Sequence, residues 1–174
     1  MAGNKYISVG TSGRKEEVAA IQTSAGAGDA GKIPALDASG KFDASMMPAS
    51  SGADTKVVLA SENLAAGDMV NIYDNAGTEN CRKADASAAS AGKKAHGFVL
   101  TAVTSGNNAT VYLDGTNTQV TGLTAGIEYF LSDVTPGAVT ATAVTTSGNT
   151  LQSVGFAEST TELSFEVGEV IIRA

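Results

Sequence analysis

From residue 56 onward, apolar residues come in short runs that are β-branched or alternate with polar residues. The runs are KVVLA (56–60), MVNIY (69–73), GFVLTAV (97–103), ATVYL (109–113), EYFL (128–131), AVTATAV (138–144), QSVGFA (152–157), ELSFEV (162–167) and VIIR (170–173). Gly, Asn, Asp and Ser separate them at short intervals, the signature of strands joined by tight turns. Nothing between 56 and 174 carries the apolar spacing of a long amphipathic helix. The pattern predicts a mainly β fold, an antiparallel β-sandwich or barrel over 56–174.

Two stretches of this region resemble each other. Leu64–Asp74 (LAAGDMVNIYD) aligns with Leu123–Asp133 (LTAGIEYFLSD) at an offset of 59. His96-Gly97-Phe98-Val99 then matches Val154-Gly155-Phe156-Ala157 at an offset of 58, and Val111-Tyr112-Leu113 matches Val170-Ile171-Ile172 at 59. The expected architecture is two similar meander halves, about 64–113 and 123–172. L-x-A-G ahead of a strand is a common turn, so the match speaks to architecture and hardly to chemistry.

Residues 1–55 have a different texture, with few strand-like runs and many turn residues. One short helix is expected at Arg14–Gln22 (RKEEVAAIQ), with Ser12 as its cap and Val18, Ala19 and Ile21 as a narrow apolar stripe. Beyond the glycines at 26–31, the apolar residues Ile33, Leu36, Phe42, Met46 and Met47 are isolated in a polar sequence. Pro34 and Pro48 bias Ile33 and Met47 toward extended backbone. Such a segment has too little apolar surface to bury against itself. It reads as a long extended N-terminal arm, 1–55, that either stays disordered or lies along a partner. Fully extended, it would reach up to roughly 180 Å.

Composition and charge narrow the function. Of the 174 residues, 43% are hydrophobic, but much of that is alanine, and five Phe, four Tyr and no Trp leave little bulk for a thick core. Small residues favour thin β layers or burial against another chain. The formal net charge is −7, and the eleven basic residues are scattered. A nucleic-acid binder needs clustered Lys and Arg to neutralise phosphates, so no nucleic-acid partner is expected. No run approaches the roughly 18 apolar residues of a membrane span, and MAGNKYISVG has no apolar signal core, so a soluble protein made in a cytoplasm is expected. The single cysteine, Cys81, excludes an intramolecular disulfide.

Four motifs invite a chemical reading. GAGDAGK (26–32) satisfies both G-x-G-x-x-G and G-x-x-x-x-G-K. Either fingerprint requires a strand before it and a helix after it, whose amides meet the phosphates. Here Pro34 and Gly40 follow, and Ile33 stands where a Mg²⁺-binding hydroxyl belongs. No cofactor is expected. His96 and Cys81 lack a third orienting group for nucleophilic catalysis, and one Cys with one His cannot supply a zinc site. The carboxylates Asp68, Asp74, Asp85, Asp114, Asp133, Glu158, Glu162, Glu166 and Glu169 are numerous, but sugar clefts that use paired carboxylates are usually lined by aromatics, which are scarce here. Asp74-Asn75-Ala76-Gly77 and Asp114-Gly115-Thr116-Asn117 read as hairpin turns rather than Ca²⁺ loops. The chain is expected not to be an enzyme.

What remains is an arm with isolated apolar residues joined to an acidic β domain, a combination suited to holding other chains. The arm carries a specific phrase. Gly31, Lys32, Ile33, Ala35, Leu36, Asp37, Gly40, Lys41, Phe42, Asp43, Ser45, Met47 and Pro48 fit G-K-[IV]-x-A-L-D-x-x-G-K-[LF]-D-x-S-x-[ML]-P. This resembles a segment of tailed-bacteriophage virion structural proteins, found in capsid cement or head-decoration proteins and in variant form in tail-fibre-like proteins. LAAGDMVNIY, AHGFVLTAV and QSVGFAESTTELSFEV are similar in style to small β domains on phage heads. The resemblance implies a cement protein on the outer surface of the virion head. Such a protein clamps neighbouring capsomers, often as a homotrimer, with the major capsid protein as partner. The arm residues Ile33, Leu36, Phe42, Met46 and Met47 would then be the capsid contacts. The alternative it leaves open is a tail-fibre or baseplate module that binds a host surface glycan.

Overall fold

The computed structural model describes residues 4–47, 53–87 and 92–174. The chain forms two compact units, residues 1–52 and 53–174. In the first, β1 (Lys5–Val9) and β2 (Lys15–Ala19) pair antiparallel, with Tyr6 opposite Val18 and Val9 opposite Lys15. This corrects the helix expected at Arg14–Gln22. RKEEVAA has good helix propensity, but a strand partner at Lys5–Val9 overrides it. The turn between them is closed by the Gly10 N–H to the Arg14 carbonyl (2.9 Å), with Gly13 at a φ of 74°. Ser12 therefore sits in a turn and caps nothing. Cross-strand pairing also places Lys5 against Glu17 as an ion pair. The arm accordingly doubles back over residues 5–19, which shortens the reach expected of an extended chain.

Thirteen strands are formed among the described residues, eleven of them in residues 53–174. β3 (Thr55–Ala60), β4 (Met69–Asn75), β5 (Thr78–Lys83), β6 (Gly97–Phe98) and β7 (Asn108–Tyr112) close a five-stranded barrel in the order β3-β5-β4-β6-β7. β8 (Gly115–Asn117), β9 (Glu128–Leu131), β10 (Val139–Thr140), β11 (Thr150–Ala157) and β12 (Leu163–Phe165) form a sheet in the order β10-β9-β11-β12-β8. β13 (Val170–Ile172) pairs with β11. The two strand orders are the same when β3 is read as β8, β4 as β9, and so on through β7 as β12. In this pairing scheme β12, not β13, takes the place of β7. The apolar likeness of Val111–Leu113 to Val170–Ile172 therefore does not reflect equivalent strands. The run at 138–144 also contributes only two residues to a strand.

The halves differ in closure. In the first, β3 pairs parallel with β5 through Leu59 opposite Asn80 and Ala60 opposite Cys81. In the second, β8 and β10 do not pair. Their seam leans on the first half instead: the Met69 N–H donates to the Gly137 carbonyl (2.8 Å), the Gly137 N–H to the Ala84 carbonyl (2.7 Å), and the Asn117 side-chain amide to the Gly67 carbonyl (3.0 Å).

Alternation along β4 and β6 explains how one chain fills two cores. Val70 and Val99 point into the barrel with Val58, Ala60, Leu64, Cys81, Ala109 and Val111. Their neighbours Met69 and Phe98 point out of the barrel and into the second half, among Tyr129, Leu131, Val154, Leu163 and Phe165. Successive strand residues face opposite sides, so a strand buried on both faces is apolar at consecutive positions, as in Met69-Val70. Phe98 stacks on Tyr112 (5.4 Å between ring centroids) and meets Phe165 edge-on (5.5 Å). The equivalent pair to Met69 opposite Phe98 is Glu128 opposite Phe156. No third half covers that position, and Phe156 is 45% exposed.

Two glycines set the strand spacing at equivalent places. A Cβ on Gly97 would run into the Tyr112 carbonyl oxygen of β7, and one on Gly155 into the Ser164 carbonyl oxygen of β12. Gly155 also has a φ of 121° and lies at a register shift of β11 against β9, as expected of a bulge glycine. Gly155→Ala is therefore expected to destabilise the protein by about 3 kcal/mol or more, read as the loss of urea midpoint by circular dichroism. A second expectation comes from the β4–β5 turn, whose two residues both have positive φ, Ala76 at 53° and Gly77 at 86°. Such a turn favours Asn-Gly. Ala76→Asn should raise stability by about 0.5–1 kcal/mol, and a thermal midpoint that does not rise would contradict this.

Candidate functional site

The apolar residues singled out in the sequence lie in a segment held together by its own carboxylates. Asp29 accepts from the Ala25 N–H (2.6 Å) and the Lys32 ammonium (2.6 Å). Asp37 accepts from the Ser39 and Lys41 N–H groups (2.8 and 2.9 Å). Asp43 accepts from the N–H and hydroxyl of Ser45 (2.9 and 2.6 Å). These are side-chain-to-backbone turns, available to Asp because its short carboxylate reaches amides two to four residues away. The bond from Lys32, then that from Ala25, holds the Asp29 pKa below the usual carboxylate value, and the bonds from Ser45 do the same for Asp43. Ile21 bridges to Pro34 in parallel fashion: the Ile21 N–H donates to the Ile33 carbonyl (3.0 Å) and the Ala35 N–H to the Ile21 carbonyl (2.7 Å). The polar residues of the phrase thus fix the backbone.

The apolar residues between those turns remain largely uncovered. Ile33, Leu36, Phe42 and Met47 are each about half exposed, and Met46, in a single 3₁₀ turn (Ala44–Met46), is partly buried. Met47 is extended, as its position before a proline requires; Pro48 itself lies outside the described residues. Ile7 and Val9 of β1 are also exposed. Sequence reading missed them, although the alternation in KYISV marks a strand with one apolar face. Charge is unevenly divided as well. Residues 1–52 hold five basic and five acidic residues, whereas 53–174 hold six basic and thirteen acidic. The unit bearing the exposed apolar residues is neutral, and the β body carries the whole excess of negative charge.

GAGDAGK has the glycine conformations of a turn, Gly26 at a φ of 90° and Gly31 at 81°, around a 3₁₀ turn at Ala27–Asp29. No helix follows. The amide and the lysine that a phosphate would seek are taken by Asp29.

In the β body several of the groups considered for catalysis are engaged elsewhere. Cys81 is buried in the barrel, 3.9 Å from the Val58 carbonyl, and burial, with the Glu62 charge, pushes its thiol above the ordinary value. A thiol so placed is a poor nucleophile. His96 accepts the Ile72 N–H at Nδ1 (3.0 Å), and burial, with the charge of Lys94, holds its pKa below 6.5. Asp68 pairs with Lys83 (3.2 Å), Asp133 accepts from Asn149 (2.8 Å), and Asp114 accepts from the Asp54 N–H (3.1 Å). Asp114 precedes β8 rather than forming the hairpin turn expected there, because β7 and β8 do not pair. Asp74-Asn75-Ala76-Gly77 does close a hairpin, with Asn75 opposite Thr78. Among the described residues no group of three or more His, Cys, Asp or Glu could hold a metal ion, and no helix is long and apolar enough to cross a membrane. An open cleft of about 200 Å³ lies at the β8–β10 seam, with Asp68 on its wall already paired to Lys83.

Among the described residues, the Arg82 side chain is held without an acidic partner. The Arg82 guanidinium lies 4.0 Å over the Tyr73 ring, and its Nε donates to the Asn71 carbonyl oxygen (3.1 Å). Asn71 is buried and donates to the Lys94 carbonyl (2.9 Å). Together they form a hydrogen-bonded polar patch on the barrel wall.

The chain was compared with protein-family models and with curated proteins, and it matches none of them.

His96 is the only histidine. Its pKa is depressed in the folded state, so its contribution to stability is full above about pH 6.5 and is lost as pH falls through the folded value. The urea midpoint is expected to fall between pH 7.5 and 5. In His96→Gln, whose carbonyl can still accept the Ile72 N–H, that slope should flatten. An equal slope in both proteins would assign it to other groups.

Proposed function

We propose that the protein is a virion structural component. It is a cement or decoration protein that binds the outer surface of a tailed-phage head and stabilises contacts between capsomers. The observation that supports this best is the pairing of internally fixed turns with uncovered apolar side chains in residues 33–47. A segment whose backbone is already organised by Asp29, Asp37 and Asp43 loses less conformational freedom on docking than a disordered arm. Ile33, Leu36, Phe42 and Met47 can each add roughly 1 kcal/mol or more by burying their exposed halves. The neutral unit meets the capsid, and the acidic body faces solvent, where its charge opposes unwanted association. The likeness of the GKIPALDASGKFDASMMP phrase to virion structural proteins points the same way. Several copies held together would raise avidity.

The test is sedimentation of the full-length protein with expanded, undecorated heads of the parent phage, counting copies retained per head. Saturable, high-copy retention is expected for the wild type. A variant with Ile33, Leu36, Phe42 and Met47 all changed to Ser should bind at least about tenfold more weakly, since more than about 1.4 kcal/mol is removed. Failure of the wild type to sediment with heads, together with binding to host cells, would replace this reading with the tail-fibre or baseplate one.

A further inference from the structure

The last strand is apolar, short and open on one side. Val170, Ile171 and Ile172 of β13 are 38%, 49% and 70% exposed. Among the described residues β13 pairs only with β11, with Leu151 opposite Ile171. The Arg173 N–H and carbonyl both face β11, donating to Asn149 (2.9 Å) and accepting from Gly148 (2.8 Å). Alternation then turns the backbone groups of Ile171 toward β11 and those of Val170 and Ile172 outward. An uncharged edge of this kind is an invitation to strand addition, which proteins usually blunt with a charge in the strand. Here the charges stand at its two ends instead, Glu169 before it and Arg173 after it. Neither belongs to an ion pair among the described residues.

The sequence Glu169-Val170-Ile171-Ile172-Arg173 is complementary to itself when reversed. We propose that β13 pairs antiparallel with β13 of a second copy of this chain, about a twofold axis at Ile171. In that register Val170 faces Ile172 of the second copy, and their outward N–H and carbonyl groups bond to each other. Ile171 faces its own equivalent. Glu169 of each copy faces Arg173 of the other, which places two ion pairs on the same sheet face as the two isoleucines. No other occupant is specified so fully: an antiparallel partner strand would need an acid and a base at the same separation and in the same chain order, which this strand itself supplies. A twofold contact uses the same patch on both copies and closes at two. The inference does not rest on capsid binding.

Sedimentation velocity of the full chain over a concentration series, up to about 1 mM, tests it by charge reversal. The wild type is expected to show a monomer–dimer equilibrium. Glu169→Arg places Arg opposite Arg on both rungs, and Arg173→Glu places Glu opposite Glu. Each should weaken dimerisation by about tenfold or more. Mixing the two variants restores opposite charges on both rungs, so a heterodimer of wild-type affinity is expected, as is recovery in the doubly exchanged chain. Because the mixture recovers only if both variants are folded, misfolding cannot imitate the result. A wild type that stays monomeric throughout the series, an association indifferent to either single reversal, or a mixture that fails to associate would each overturn the proposal.

Discussion

The β body depends on how closely two strand pairs approach. At Gly97 and Gly155 the neighbouring strand's carbonyl occupies the space of a side chain, so β6 lies tight against β7 and β11 against β12. Each glycine is followed by phenylalanine, and the two phenylalanines meet opposite fates. Phe98 is pressed into the core shared by the halves, whereas Phe156 is left 45% exposed. The local geometry is repeated, and the environment is not. That difference follows from there being two halves: the outer face of the first is covered by the second, and the outer face of the second is covered by neither.

The N-terminal unit solves a different problem. A segment with few apolar residues cannot organise itself by burial, and this one uses carboxylates instead. Three aspartates gather the amides of their own turns, which leaves the apolar residues between them free to point elsewhere. Such turns are local and contribute modestly each, so they limit the freedom of the chain without building a core. The unit is also neutral in formal charge, whereas residues 53–174 carry the whole excess of acid.

The strands of the β body were legible because alternation and β-branched runs leave a clear trace, and the exposure of Ile33, Leu36, Phe42 and Met47 because an apolar residue without periodic neighbours finds little to bury against. Three readings went astray for separable reasons. Residues 15–19 combine helix-favouring Lys, Glu and Ala, and only the alternation in their partner, Lys5–Val9, argues for a strand. Residues 170–172 resemble 111–113 in hydrophobicity, yet equivalence is a matter of pairing, which hydrophobicity does not encode. The turns that fold the arm rely on single aspartates, each ordinary in a loop, so the sequence alone suggests an extended chain. The contacts that fix His96 and Arg82 left no trace at all, since they depend on which side of a strand each residue meets.

The unequal closure of the halves gives the fold a direction. The first barrel joins its own ends through β3 and β5 and holds a set of buried side chains that are all its own. The second half keeps its seam open and fills its interior with Met69 and Phe98, which belong to the first. The first half therefore encloses one interior by itself, whereas the interior of the second is completed by side chains that the first contributes.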